Sequence, residues 1–184
     1  MDHELAHTDP SFRGIVGFPY SQQVEEALNL IKGYQDLSTI PIVSPSASSD
    51  ELSNIPNFYR IASPDHSQGT AIAQFFCDSL IHNQSSDSMA MLTDGSNAYS
   101  RSLELAFNDA LDCGDATHRT TIPYINGDTT SIREAVDQAL EQHVTYIFFP
   151  GYEQDMDTVE LEIHQALQDR VSNITIIAGD AINN

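Results

Sequence analysis

Apolar and polar positions follow two periods along this chain. Short, nearly continuous apolar runs predict strands over Gly14–Phe18, Ile40–Ser44, Met89–Thr93, Thr120–Tyr124, Thr145–Phe149 and Ile174–Ala178. Such runs suit strands covered on both faces of a parallel sheet. Between them, apolar residues recur at helical spacing. Val24, Ala27, Leu28 and Ile31 form one stripe, and Ile72, Phe75, Phe76 and Leu80 a second. Leu103, Ala106, Phe107, Ala110 and Leu111 repeat the pattern, as do Ile132, Ala135, Val136, Ala139 and Leu140, and then Met156, Val159, Ile163, Ala166 and Leu167. These stripes read as core faces of amphipathic helices.

Alternating strands and helices predict an α/β fold of parallel-sheet, three-layer α/β/α units. Right-handed crossovers then bring the C-terminal ends of the strands to one edge, where ligands bind in such folds. The division is uneven. Residues 1–61 have room only for β-α-β, too little to close a layered core alone, whereas residues 62–184 hold a nearly complete unit.

Composition narrows the functions. The chain has 184 residues, 40% of them hydrophobic, which is enough for a core. Asp and Glu number 27 against 7 Lys and Arg, Lys32 being the lone lysine, for a net charge of -20. That charge repels nucleic-acid phosphates and anionic membrane surfaces, so no nucleic-acid partner is expected. The acidity reads as a soluble surface suited to an extracellular or salty setting, with a cationic partner as the alternative. The two cysteines fix neither a metal framework nor a compartment. Cys77 is expected chiefly as a small buried hydrophobe, and a Cys77–Cys113 bridge is the alternative. No apolar run reaches membrane-spanning length, and no basic-then-apolar export segment opens the chain.

The most informative stretch is residues 41–69. The strand Pro41–Val43 runs into a loop of small hydroxyl residues, Ser44, Ser46, Ser48 and Ser49. Such a loop is expected to offer hydroxyls and free backbone N–H groups to an anion. Phe58-Tyr59-Arg60-Ile61 follows, and a helix opens at Ser63-Pro64-Asp65. After the first strand, Phe18-Pro19-Tyr20-Ser21 opens another helix, with Ser21 as its expected N-cap or, at a helix N-terminus, an anion ligand. In the larger unit, Thr93-Asp94-Gly95-Ser96-Asn97-Ala98-Tyr99, Phe149-Pro150-Gly151-Tyr152 and Ala178-Gly179-Asp180-Ala181 each follow a strand at the ligand edge.

This arrangement resembles the type I periplasmic (extracellular) solute-binding proteins, in particular the branched-chain amino acid binding proteins of ABC transporters, from about Gly14 to Asn184. The resemblance implies a partial first lobe and most of a second, either as an excised fragment or as a truncated homologue. It places the export signal upstream or already removed, and the chain outside the cytoplasm. It implies a non-enzyme that needs no cofactor and captures a small amino acid or related carboxylate in an interlobe cleft. The ligand carboxylate falls to Ser21, Ser46, Ala47 and Ser48, and its ammonium to Asp180, with Tyr99 and Tyr152 on the cleft wall. Ser100 departs from the family pattern, which has glycine after the aromatic. Read without the resemblance, Tyr99 and Tyr152 serve equally as aromatics covering helix starts and turns, and Asp180 as a solvated turn acid.

Rival readings fare less well. His3, His7, His66, His82, His118, His143 and His164 show no metal-ligand spacing, and no nucleophile elbow, phosphate loop or dinucleotide glycine signature occurs. A phosphoacceptor receiver at Asp94 lacks its acidic cluster and its lysine. A ligand-sensing domain of a receptor or regulator shares the fold, so the partner is either an ABC permease or a downstream signalling domain. A truncated lobe without binding activity is the remaining alternative. The exposed sheet edge of an incomplete first lobe predicts a homodimer or strand exchange.

Overall fold

Seven strands and five helices carry the described residues, which in this computed structural model are 13–34, 39–81, 88–113, 118–167 and 174–182. Their order is β1 (Ile15–Val16), α1 (Ser21–Ile31), β2 (Ile42–Ser44), β3 (Phe58–Arg60), α2 (Asp65–Phe75), β4 (Ser88–Thr93), α3 (Ala98–Ala110), β5 (His118–Pro123), α4 (Thr129–Glu141), β6 (Tyr146–Phe149), α5 (Glu153–Leu167) and β7 (Thr175–Ala178). The chain falls into two compact units, Met1–Asp65 and His66–Asn184.

In the first unit the parallel order is β1-β2-β3. Ile15, Ile42 and Phe58 share one face, where Val24 and Leu28 of α1 bury them together with Ala47 and Leu52. The opposite row, Val16, Val43 and Tyr59, is far more open, Val16 being 84% exposed and Tyr59 58%. β3 departs from the expected β-α-β content of this region. Three residues are too few to show a period, and the strand depends on what precedes it. A 3₁₀ turn at Asp50–Leu52, then left-handed Asn54 and Asn57 (φ 81° and 66°), bring the chain back alongside β2. Asparagine is one of the few residues that tolerates that conformation.

The second unit has the parallel order β5-β4-β6-β7, and its central strands alternate strictly. Met89 and Met91 of β4, with Tyr146 and Phe148 of β6, pack under Ala73, Phe76, Leu103 and Phe107 of the α2 and α3 side. Ala90 and Leu92, with Ile147 and Phe149, pack under Ile132, Val136, Met156, Val159 and Ile163 of α4 and α5. Helices thus cover both faces, giving three α/β/α layers in which the central strands β4 and β6 are buried and the edge strands β5 and β7 are more open. Phe107 stacks on Phe148 at 4.1 Å between ring centroids, and Phe76 meets Tyr146 edge-on at 4.9 Å.

Two expectations are corrected here. The α2 stripe is rotated from Ile72, Phe75, Phe76 and Leu80: Phe75 is 56% exposed, and the buried line is Gly69, Ala73 and Phe76. Gly69 sets this line, because a Cβ there would come within 2.6 Å of the Phe107 amide nitrogen. Only glycine lets α2 and α3 approach so closely, and a π-helical turn over Phe76–Leu80 then ends the helix. Cys77, in that turn, is disulfide-bonded to Cys113, with the Cα atoms 5.3 Å apart. Cys77 is therefore a cross-link as well as a small apolar filler.

Candidate functional site

The expected site residues gather in two separate groups, one per unit. In the first, buried Ser44 ends β2 and donates its hydroxyl to the Phe18 carbonyl at 2.8 Å. Its Oγ also accepts the Ala47 amide at 3.0 Å. Phe18 itself is left-handed (φ 57°), so the β1–α1 turn is held in a conformation that non-glycine residues seldom adopt. Ser46 is exposed and donates its hydroxyl to the Pro19 carbonyl at 2.8 Å. The Ser21 Oγ accepts the amides of both Ser48 and Ser49 at 3.1 Å.

This geometry corrects two readings. Ser21 is the first residue of α1 and Tyr20 is its N-cap, so the Ser21 hydroxyl holds the neighbouring loop instead of capping its own helix. The amides of Ala47, Ser48 and Ser49 are likewise met by serine hydroxyls and are not free. A small loop with several buried N–H groups satisfies them internally, because leaving them open would cost more than a hydrogen bond returns. Ala47 and Ser48 are buried, and Ser46 stands at the surface of the loop.

Arg60 is a participant that sequence reading missed. Its Nη1 donates to the carbonyls of Ser48 and Ser49 at 2.8 and 2.7 Å, and its Nη2 to the Ser53 hydroxyl. The guanidinium fork fits several acceptors at once and fixes the serine loop from the carbonyl side. The pairing of Arg60 with Ser44 in register makes this contact possible, and it was invisible while β3 was unread.

In the second unit Tyr99, Tyr152 and Asp180 come together at the C-terminal ends of β4, β6 and β7. Asn97 caps α3, its Oδ1 accepting the amides of Tyr99 and Ser100 at 3.1 Å. Tyr99 is thereby set at the first turn, buried, with its ring stacked on Tyr152 at 5.4 Å between centroids and 27° between planes. The Tyr99 hydroxyl donates to Asp180 Oδ1 at 3.1 Å and accepts the Ala181 amide at 3.4 Å. Asp180 is exposed, so an acid and two tyrosine rings form one surface-reaching group. Ser100, in the place of the family glycine, is fully buried and its Oγ accepts the Asp94 amide at 3.0 Å.

A second acidic arrangement lies along the same sheet edge. Asp94 and Asp155, both buried, hold successive amides of the turn after β5: Asp94 Oδ2 accepts Asn126 N–H at 2.9 Å and Asp155 Oδ1 accepts Gly127 N–H at 3.1 Å. Burial works against ionisation of Asp94, but hydrogen bonds from the Ser96 hydroxyl and the Asn126 and Ser96 amides outweigh it and hold its carboxyl below the usual value. Burial, and then the charge of Asp94, push Asp155 upward despite its bond from Gly127. Burial and the charges of Asp155 and Asp94 likewise push the Tyr124 phenol up. No local sequence signal marks Asp155, because its partner lies in another loop. Among the described residues, no three His, Cys, Asp or Glu side chains gather so as to hold a metal ion, and His3, His7 and His82 lie outside those residues.

Comparison with known proteins places this architecture. No family model and no curated protein matches the chain. Among solved structures, a leucine binding protein, LivK, from Thermotoga maritima superposes with a TM-score of 0.78 at 18% identity, over 97% of this chain and 47% of that one. An ABC transporter substrate-binding protein from Desulfitobacterium hafniense superposes with a TM-score of 0.62 at 14% identity, over 97% and 49%. The chain therefore spans about half the length of the solved proteins it matches. Its fold is that of the type I periplasmic binding proteins.

Proposed function

We propose that this chain is a solute-binding module, not an enzyme, and that its ligand is a small amino acid or related carboxylate. The observation that carries this reading is the Tyr99–Tyr152–Asp180 group. A desolvated ammonium requires an opposite charge and acceptors, and Asp180 supplies both beside aromatic faces that attract cations. The serine loop of the first unit, taken by itself, suits a carboxylate: the exposed Ser46 hydroxyl can exchange its bond to Pro19 for a stronger one to an anion. Ser21, Ala47 and Ser48 shape that loop. The similar structures are binding proteins by their titles, one of leucine, which supports the solute class.

An extracytoplasmic setting is part of the same proposal. The Cys77–Cys113 disulfide supports it, since such bonds persist in oxidising compartments. No described helix is long and apolar enough to cross a membrane. An ABC permease is the proposed partner, with a signalling domain as the other use of the same ligand-binding device.

Calorimetric titration against a panel of amino acids, carboxylates and small sugars tests the reading. We expect saturable binding of an amino acid, weakened at least tenfold by Asp180→Ala and by Ser46→Ala. Binding of a sugar, or amino-acid binding indifferent to both substitutions, would refute it.

A further inference from the structure

Gly179 is the buried residue between β7 and Asp180. Its backbone is not left-handed, so what glycine supplies at this position is space and not conformation. A Cβ there would collide with the Tyr99 hydroxyl oxygen and stand 2.5 Å from Leu103 Cδ2. Tyr99 and Leu103 are one turn apart on α3 and share the face that rests on the end of β7. Both are buried, and the tip of a tyrosine moves only if its ring or its helix moves. Restoring an ordinary carbon–carbon separation to Leu103 alone requires a displacement of about 1 Å. A displacement of that size takes the 3.1 Å bond from the Tyr99 hydroxyl to Asp180 Oδ1 out of hydrogen-bond range and disturbs the stacking of Tyr99 on Tyr152.

We propose that Gly179 is a positioning residue of the candidate site: its missing side chain admits the Tyr99 hydroxyl to the end of β7, where that hydroxyl fixes one oxygen of Asp180. The inference rests on the proposed binding role of Asp180 and deepens it by saying how the acid is aimed. Asp180 is exposed, and an exposed carboxylate left to itself turns among several rotamers. The Tyr99 hydroxyl donates to Asp180 Oδ1 and accepts the Ala181 amide, so both residues after Gly179 are tied to one phenol oxygen. An acid already held in one orientation loses less freedom when a ligand ammonium arrives, and that saving appears as affinity. Alanine at 179 keeps every polar group of the site and still separates the donor from the acid.

The test uses no ligand. It reads the carboxyl carbon resonance of Asp180 in aspartate-labelled protein, assigned as the peak that Asp180→Ala removes. Tyr99→Phe takes away the donor and is expected to move this resonance. Gly179→Ala is expected to move it in the same direction, to lower Tm by about 4 °C, and to add no further movement in the Tyr99→Phe background. Gly95→Ala, where a Cβ meets nothing within 4 Å, is expected to leave the resonance in place. A glycine that only relieves crowding would lower Tm without touching Asp180. A resonance unmoved by Gly179→Ala, or moved equally with and without the Tyr99 hydroxyl, would overturn the proposal. If Gly179→Ala does not fold, Gly179→Ala with Tyr99→Phe decides, because phenylalanine withdraws the colliding oxygen. A folded double variant supports the hydroxyl as the group that needs the space, and a double variant that also fails to fold overturns it. A failed calorimetric titration refutes the binding reading without altering these resonances, and an unmoved resonance refutes the role of Gly179 without altering the titration.

Discussion

Asp94 and Asp155 hold neighbouring amides of one turn yet are displaced in opposite directions, and that opposition is measurable. Asp155 is raised above the usual aspartate value of 3.8, so the folded state binds its proton more readily than the unfolded chain does. Its contribution is full below 3.8 and is lost as pH rises through the folded value. Asp94 is lowered, so its contribution is present above 3.8 and is lost as pH falls through its folded value. Asn at 155 keeps an oxygen for the Gly127 amide and removes the buried charge that faces Asp94 and Tyr124. Asp155→Asn is therefore expected to be more stable than the parent at pH 7, with the gain gone below pH 3.8. Asp94→Asn is expected to be less stable at pH 7. Denaturant unfolding at both pH values checks this, and a parent that outlasts Asp155→Asn at pH 7 would contradict it. The apolar runs put Tyr99, Tyr152 and Asp180 just after strand ends, and the family resemblance singled them out there; the structure brings the three side by side. Sequence reading could not find Arg60 or Asp155, whose partners come from other loops. It also took the loop amides for free donors, because Ser21, which satisfies those of Ser48 and Ser49, lies on a helix far away in sequence.

At the scale of elements, strands with long apolar runs were legible and their alternation fixed the layers. Phe148 and Phe149, adjacent in sequence, go to opposite faces of the second sheet. β3 was not legible, since three residues carry no period and its place depends on the preceding asparagine turns. The α2 stripe was misjudged because close packing at Gly69, not hydrophobicity, selects the buried face. The disulfide is the cross-link between these helical elements, joining the π-helical end of α2 to the segment after α3 across 36 residues. Closing a loop of that length in the unfolded chain is worth about 3–4 kcal/mol in the chain-entropy account. Reduction by a small thiol is expected to lower the denaturant midpoint of the second unit by a corresponding amount. The Cys77→Ser/Cys113→Ser variant is expected to match the reduced protein and to ignore the thiol. A midpoint unmoved by reduction would show that the cross-link adds nothing to folding.

For the molecule as a whole, two features oppose each other in self-association. The first sheet presents Val16, Val43 and Tyr59 in one row, with Ile61 80% exposed just beyond β3. Among the described residues, β1 and β3 each pair with one strand only, so both edges carry backbone groups able to pair with another copy. Against this stands a net charge of -20 on every chain. Repulsion between two such chains acts over about 30 Å at 0.01 M salt and only about 8 Å at 0.15 M. We therefore propose a homodimer through the first unit that is absent in dilute salt and forms with rising concentration near 0.15 M. Light scattering across both variables is expected to show the mass rising toward twice the chain mass only when salt and protein are both high. Val16→Glu with Tyr59→Lys is expected to keep the chain monomeric throughout, since charged residues on this face and its edge strands oppose pairing. A monomer mass that stays constant in all salts would remove the dimer. A dimer indifferent to both substitutions would move the contact away from this sheet.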